Sequence, residues 1–222
     1  MANIYTADQK QAKRAAIMQA AISLFTQRSY LNISMQAISE TAGISKGTIF
    51  HYFATKEDLF MSLLLEHYQA YFHGLITQLA PRTALTSADF IQLMTTETAT
   101  LIQHEDVLVR LNAIRGPILE GKANMAETVT QRNRLYAVSQ ELGQLLAVKT
   151  SQLLTPAQFS HLFVIQSGII SGLMNMSSLA RFDHTDLQTT YPDFEIDLVP
   201  EAQRQMTYYL TAYLKEVSHA PR

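Results

Sequence analysis

The most informative stretch of this chain reads Ser34-Met-Gln-Ala-Ile-Ser-Glu-Thr-Ala-Gly43-Ile-Ser-Lys-Gly-Thr-Ile-Phe-His-Tyr-Phe53. Its apolar residues recur at helical spacing on both sides of Gly43, which predicts helices over about Ser34–Ala42 and Lys46–Phe53. A turn this tight commonly needs one residue at positive φ, and glycine adopts that conformation without strain. The side chains expected to pack the two helices together are Ala37, Ile38, Ala42, Ile44, Ile49 and Phe53.

The second of these helices has a predicted cap and a polar outer side. Ser45 precedes it, and its hydroxyl oxygen can accept a hydrogen bond from the N–H of Gly47 or Thr48. The first turns of the helix then point small and polar side chains outward, which is the face that a recognition helix presents to the major groove of DNA. The residues on that face are Lys46, Gly47, Thr48, His51 and Tyr52.

The chemistry of this segment suits double-stranded DNA. Lys46 and Lys56 supply cations for phosphates, and the helix that starts at Lys56 favours an anion at its N-terminus. Hydroxyl groups can donate to the DNA backbone, Gly47 permits close approach, and longer polar side chains can reach base edges. The alternative is a helix-turn-helix used only for packing. The predicted DNA-binding residues are Ser34, Gln36, Ser45, Lys46, Gly47, Thr48, His51, Tyr52 and Lys56.

Charge is divided unevenly along the chain. The 222 residues include 17 Lys and Arg against 19 Asp and Glu, a net charge of −2. Residues 1–56 hold six cationic and two acidic residues, a net charge of +4, so the remainder carries −6. A basic head on an acidic body is what contact with phosphates at one end requires, although six cations on a helical segment are also an ordinary surface.

The rest of the chain predicts an all-α protein, because no segment of useful length shows the alternation of a strand. Thr55 and Asp58 form a predicted capping box at the start of a long helix that Pro81 ends. A long loop is predicted over Arg181–Val199. The other predicted helices cover about Ala7–Arg28, Lys56–Leu79, Ser87–Gln103, Asp106–Ile114, Ala123–Leu153, Ala157–Leu179 and Glu201–Val217.

Composition and motifs argue against several other classes. The chain has no cysteine, so disulfides and thiol chemistry are excluded and a cytoplasmic location is the simplest expectation. Residues 1–10 lack an apolar signal core, and the weakly charged stretch Leu162–Ala180 is too polar for a membrane span. No H-E-x-x-H, G-x-S-x-G or P-loop pattern occurs, so we expect neither an enzyme nor a metal or cofactor.

In its first quarter the chain resembles the TetR family of bacterial one-component regulators. The similarity lies in Ile38…Ala42-Gly43-Ile44-Ser45-Lys46-Gly47-Thr48-Ile49-Phe50-His51-Tyr52-Phe53 and in Thr55-Lys56-Glu57-Asp58-Leu59-Phe60, which follows at the family's distance. The resemblance implies a three-helix DNA-binding domain over residues 1–55 and a helical effector-binding and dimerisation domain over residues 56–222. It also implies a homodimer on a palindromic operator, commonly a repressor, that a small molecule releases. The alternatives are an activator or a helical dimeric interaction protein without such a ligand.

Two further sets of residues follow from that expectation. A cavity beneath the fourth helix would have apolar walls with a few polar groups. Arg115 could hold an anionic ligand there or cap the end of its helix. The candidate effector-binding residues are Tyr68, Tyr71, Phe72, Met94, His104, Asn112, Arg115 and Tyr136. In the last two helices a stripe of small residues and an aromatic stripe could form a dimer interface or pack within one subunit. The candidate interface residues are Val164, Gly168, Ser171, Gly172, Asn175, Met206, Tyr209 and Tyr213.

Overall fold

The computed structural model describes residues 6–177 and 196–219. Within these ranges the regular structure is helical throughout, so the predicted all-α fold, with its N-terminal helix-turn-helix and larger helical portion, is confirmed. A 3₁₀ turn occupies Tyr30–Asn32, and a π-helical segment occupies Arg115–Glu120. The α-helices are α1 (Ala7–Gln27), α2 (Met35–Thr41), α3 (Lys46–Tyr52), α4 (Lys56–Leu79), α5 (Ser87–His104), α6 (Asp106–Ile114), α7 (Met125–Lys149), α8 (Pro156–Ser177) and α9 (Leu198–His219).

Proline explains one difference from the predicted boundaries. The predicted loop is wrong at its C-terminal end, because α9 already begins at Leu198. Pro200 therefore lies in the first turn of the helix, where its missing N–H has no intrahelical partner to lose. The rest of that predicted loop, up to position 195, and Leu179 lie outside the described residues.

Backbone conformation explains the other difference. α7 covers Met125–Lys149, which is shorter than the predicted Ala123–Leu153. Ser151 and Gln152 have φ values of 53° and 63°, in the left-handed region that a helix cannot continue through. No glycine or proline marks the end of this helix in the sequence, so the pattern of apolar residues predicts a helix that is too long.

The described helices fall into two compact units. The first runs through Glu66 and also includes Ile114–Arg132, and the second contains His67–Ala113 and the described residues from Asn133 onward. Asp58 belongs to the first unit and accepts a hydrogen bond from the backbone N–H of Asn124. The division of the chain into domains 1–55 and 56–222 stays a prediction.

The first unit is built around aromatic rings at the start of α4. Phe60 is fully buried, with its ring centroid 5.5 Å from that of Phe25 and 5.2 Å from that of Tyr30. Ile38 of α2 and Ile49 of α3 are also fully buried. This core fixes the short helices α2 and α3, which are too short to be stable alone.

The second unit has an apolar core with a few satisfied polar groups. Phe90 of α5 meets Phe159 of α8 edge to face at a centroid distance of 5.1 Å. Gln166, which is 2% exposed, donates from Nε2 to Thr98 Oγ1 at 3.0 Å. Gly143 of α7 is buried against the start of α8, where an added Cβ would collide with the carbonyl oxygen of Pro156. The two helices therefore approach each other at a distance that only glycine permits at this position.

None of the helices in the described ranges combines the length and the apolar character needed to cross a bilayer.

Candidate nucleic-acid interface

The turn between α2 and α3 has the geometry that its sequence predicts. Gly43 has φ 66°, which confirms the expected positive value. The chain closes through hydrogen bonds from the N–H of Gly43 to Glu40 O at 3.1 Å and from the N–H of Ile44 to Ser39 O at 3.0 Å. Because Ile38 and Ile49 are buried on either side of it, the turn sets the direction in which α3 presents its outer face.

Serine side chains cap both short helices. Ser34 Oγ accepts from the N–H of Ala37 at 3.1 Å, and Ser45 Oγ accepts from the N–H of Thr48 at 3.2 Å, as predicted for Ser45. The hydroxyl groups of Ser45 and Thr48 lie 2.8 Å apart. Both serines therefore stabilise helix starts, and any contact with DNA phosphate would be additional to that role.

The outer face of α3 is open to solvent. Lys46, Gly47 and His51 are exposed, while Thr48 and Tyr52 are partly buried. The rings of His51 and Tyr52 meet edge to face at a centroid distance of 5.7 Å, which orients both side chains. This face places a cation, a hydroxyl, an imidazole and a phenol along two turns of helix.

Phe50 is a residue of this face that sequence reasoning missed. It is 44% exposed and lies one helical turn after Lys46. The signal was its spacing, because residues four apart share a helix face. An exposed ring here could contact a thymine methyl group or a sugar.

Gln36 lies at the outer side of α2. Its side chain is exposed, and Nε2 donates to Glu40 Oε1 at 3.0 Å. Reaching a base edge would require this hydrogen bond to be exchanged for one with DNA. Its role as a base-reading residue stays a prediction.

Lys56 has a structural role that the sequence did not indicate. Its Nζ donates to the carbonyl oxygens of Tyr30 at 3.0 Å and Ile33 at 2.8 Å, and it lies 4.0 Å from the centroid of the Tyr30 ring. Burial lowers the pKa of this ammonium from its ordinary value. The cation therefore ties the 3₁₀ turn to the start of α4, and its predicted phosphate contact would come on top of these bonds.

Replacement of Lys56 by methionine tests this role. We expect Lys56→Met to lower the free energy of unfolding by about 1–3 kcal/mol, because it removes hydrogen bonds from a charged donor while keeping the stem of the side chain. Thermal unfolding followed by circular dichroism measures the loss. The matched control is Lys46→Met, an exposed lysine whose replacement should change stability by less than about 0.5 kcal/mol. Equal stability of the two variants would show that the carbonyl contacts contribute nothing.

The start of α4 is held by polar contacts as well as by its core. Thr55 and Asp58 form the predicted capping box, with both reciprocal hydrogen bonds at 3.0 Å. Tyr30 donates from its hydroxyl to Glu57 Oε1 at 2.9 Å. Burial, followed by the hydrogen bond to Glu57, raises the pKa of Tyr30 far above its ordinary value, so the phenol stays a donor.

Arg14 supports the unit from α1. Its guanidinium pairs with Glu66, with one hydrogen bond from Nη1 to Oε2 at 3.1 Å, and it lies 5.3 Å from the centroid of the Phe53 ring. The arginine therefore connects α1 to α4 and covers the residue that follows α3. Spacing alone gave no sign of this pair, since its members are 52 positions apart.

The candidate effector residues do not form one site. Tyr71 lines a groove of the second unit, whereas Phe72 and Met94 are buried in the core beside it. Tyr68 is bonded through its hydroxyl to Ser167 Oγ at 2.7 Å. The prediction that Tyr136 forms a cavity wall is wrong, because its side chain lies on the outer side of α7 and is 59% exposed.

The remaining polar candidates have other surroundings. His104 is exposed at the end of α5, and Asn112 donates from Nδ2 to Ser171 Oγ at 2.6 Å. Arg115 lies in the π-helical segment of the first unit, is largely exposed and pairs with Glu120 at 3.5 Å. The guanidinium thus engages a carboxylate, and the anionic ligand proposed for it stays a prediction.

The dimer candidates separate by helix. On α8, Val164 is 63% exposed, and Gly168, Gly172 and Asn175 are exposed, while Ser171 is partly buried. These residues follow one another at helical spacing, so this part of α8 presents a small-residue face to solvent.

The predicted interface residues of α9 mostly pack inside their own subunit. The prediction for Met206 is wrong, because this side chain is fully buried in the core of the second unit. Tyr209 and Tyr213 are partly buried against that core and stack on each other at a centroid distance of 5.6 Å. Their place in a dimer stays a prediction, and Tyr208, at 68% exposure, is the aromatic residue of α9 that faces outward.

Residues 17–63 match the family model described as bacterial regulatory proteins of the tetR family. The Bacillus subtilis protein named uncharacterized HTH-type transcriptional regulator YuxN is 30% identical over 100 residues, which cover 43% of this chain and 33% of that protein. The match therefore spans about a third of the relative's length.

Similarity to solved structures extends over nearly the whole fold. A TetR transcriptional regulator from Rhodococcus sp. RHA1 aligns with TM-score 0.56 at 15% identity, over 95% of this chain and 100% of that one. The regulator FadR from Bacillus subtilis, solved with stearoyl-CoA, aligns with TM-score 0.54 at 17% identity, over 88% of this chain and 96% of that one. At these identities the structures establish the shared fold.

Proposed function

We infer that this chain, which belongs to the TetR family of bacterial transcriptional regulators, binds a palindromic operator as a homodimer and represses the genes beside it. The observation that carries the proposal is the open face of α3, where Lys46 and His51 are exposed on a helix fixed by the Gly43 turn and the Ser45 cap. A short recognition helix of this kind reads only a few base pairs. Operator specificity therefore needs a second copy, one turn of DNA away.

Dimerisation is supported by the exposed face of α8. Val164, Gly168 and Gly172 are exposed on one side of this helix, and glycines spaced by four allow the backbones of two helices to approach closely. Two-fold symmetry then places both recognition helices on the same side of the duplex. The protein would act in the cytoplasm, where the operator is, and without enzymatic activity.

Release by a small molecule is the remaining part of the proposal. A ligand that binds one arrangement of the helices more tightly than another shifts the population away from the arrangement that fits DNA. The coupling is reciprocal, so operator DNA must weaken ligand binding by the same factor.

Titration of the purified protein against its own promoter DNA tests the proposal. We expect retardation of the DNA with an affinity that falls steeply as salt rises, because phosphate contacts release counterions. Lys46→Ala and His51→Ala should each cost about 1–3 kcal/mol of specific binding and relax preference for particular base pairs. Arg134→Ala, which removes an exposed cation of α7, is the control and should leave binding unchanged. Absence of binding at low salt would refute the regulator and favour a helical interaction protein.

A further inference from the structure

A groove of about 580 Å³ runs between α4 and α5 in the second unit. Its volume is in the range of pockets that hold small organic molecules. Its small and apolar lining residues are Ala70, Gly74 and Leu75, all on α4. The polar residues that line it are His67, Tyr71, Gln78, Thr96, Glu97, Thr100 and Glu105.

The charges that line this groove are acidic. Glu97 and Glu105 both contribute carboxylates, and the groove has no lysine or arginine among its described lining residues. Arg82 acts on Glu97 electrostatically but does not line the groove. An anion entering here would meet two carboxylates, whereas a cation would be attracted by both.

Glu97 is the unusual member of the pair, because it is only 7% exposed. Its Oε2 accepts a hydrogen bond from the Tyr71 hydroxyl at 3.0 Å, and Oε1 accepts none from the described part of the chain. Burial raises the pKa of Glu97, which the Tyr71 bond and Arg82 partly offset. Oε1 is not one of the buried, unpartnered atoms of the described residues, so it is accessible and a donor inside the groove can reach it.

Tyr71 adds a second feature that suits a cation. Burial and the neighbouring Glu97 keep the pKa of its phenol far above the ordinary value, so it remains protonated and continues to donate to Glu97. Tyr71 is one of the residues that line the groove, and its hydroxyl contacts the Glu97 carboxylate. An aromatic face beside an acidic group is a favourable environment for an ammonium ion.

We propose that the groove between α4 and α5 binds a protonated organic amine, whose ammonium group donates to Glu97 Oε1 beside the Tyr71 ring while its apolar part lies along Leu75. Glu105 contributes the second negative charge. This assignment rests on the proposed function, for which it names the chemical class of the effector. It differs from the anionic ligand considered for Arg115, which lies in the other unit.

Calorimetric titration of the full-length protein with paired probes tests the proposal. Each pair has the same carbon skeleton and opposite charge, such as phenylpropylamine with phenylpropanoate and hexylamine with hexanoate. We expect the amines to bind at least about tenfold more tightly than their carboxylate partners, and Glu97→Gln to weaken amine binding by about tenfold or more. Glutamine keeps an oxygen for the Tyr71 hydroxyl, and thermal unfolding confirms that the variant is folded.

The control variant is Glu141→Gln, which removes the same charge from an exposed position of α7 and should leave amine binding unchanged. Preference for the carboxylates, no binding of any amine, or an unaffected Glu97→Gln variant would each overturn the inference. Operator binding without ligand is measured separately, so its absence refutes the proposed function while calorimetry still reports on the groove. An amine that binds but leaves operator affinity unchanged would overturn its assignment as the effector.

Discussion

Phe60→Ala is expected to lower the free energy of unfolding of the first unit by about 3–5 kcal/mol. The Phe60 ring is fully buried between Phe25 of α1 and Tyr30 of the 3₁₀ turn, so its removal leaves a cavity lined by two other rings. Native domains are stable by only about 5–15 kcal/mol, so this loss removes a large part of the total. Operator binding should fall with it, because α2 and α3 depend on this core.

Thermal unfolding and operator titration measure the two effects of Phe60→Ala. The matched control is Phe50→Ala, which removes the same atoms from a ring that is 44% exposed and should change stability by less than about 0.5 kcal/mol. Equal unfolding temperatures for the two variants would contradict the description of the core.

Gly143→Ala is expected to destabilise the second unit by about 1–3 kcal/mol. The new methyl group would collide with the carbonyl oxygen of Pro156 and lie 3.1 Å from Ser160 Oγ. A backbone carbonyl cannot rotate away as a side chain can, so α7 and α8 would have to separate. The loss should exceed the gain of about 0.5–1 kcal/mol that alanine normally gives inside a helix.

Gly74→Ala separates the steric clash of an added methyl group from the higher helix propensity of alanine. Gly74 is inside α4, and a Cβ placed there meets nothing within 4 Å. This variant should therefore be more stable than the parent by up to about 1 kcal/mol, whereas Gly143→Ala should be less stable. Unfolding in urea gives both values, and a stabilised Gly143→Ala protein would show that α7 and α8 are not in close contact.

The candidate nucleic-acid interface could be predicted from the sequence where it depends on contacts between residues close together in the chain. The positive φ of Gly43, the Ser45 cap and the Thr55 capping box each involve residues within four positions of one another, and all three were predicted correctly. The helical fold could be predicted in the same way, because the spacing of apolar residues is also a local pattern. Such features are encoded in short windows of sequence.

Features that depend on distant contacts could not be predicted. The hydrogen bonds of Lys56 to the carbonyl oxygens of Tyr30 and Ile33 join residues more than twenty positions apart. The sequence predicts only a phosphate contact for this lysine. The apolar stripe of α9 predicts a packing face that includes Met206, but it does not reveal whether the partner of that face is another subunit or the core of the same subunit, where Met206 is buried. Spacing identifies a buried face and leaves its partner undetermined.

The same distinction applies to the groove. Tyr71 was expected to line a cavity because it is aromatic and lies on α4. The sequence gives no sign of Glu97, since a single glutamate within a helical pattern is typical of an exposed face. Its burial follows from how α4 and α5 pack, which the sequence does not state.

The hydrogen bond from Asn124 to Asp58 has a consequence for biosynthesis. The first unit takes up Ile114–Arg132 in addition to the residues through Glu66, so it is discontinuous in the chain. At about 5–20 residues per second, the ribosome delivers those later residues on the order of seconds after α1–α3 have emerged. During synthesis Asp58 lacks its Asn124 partner until all of α4, α5, α6 and the π-helical segment have been translated. Completion of the first unit is thereby tied to synthesis of the helices that lie between its two segments in the chain.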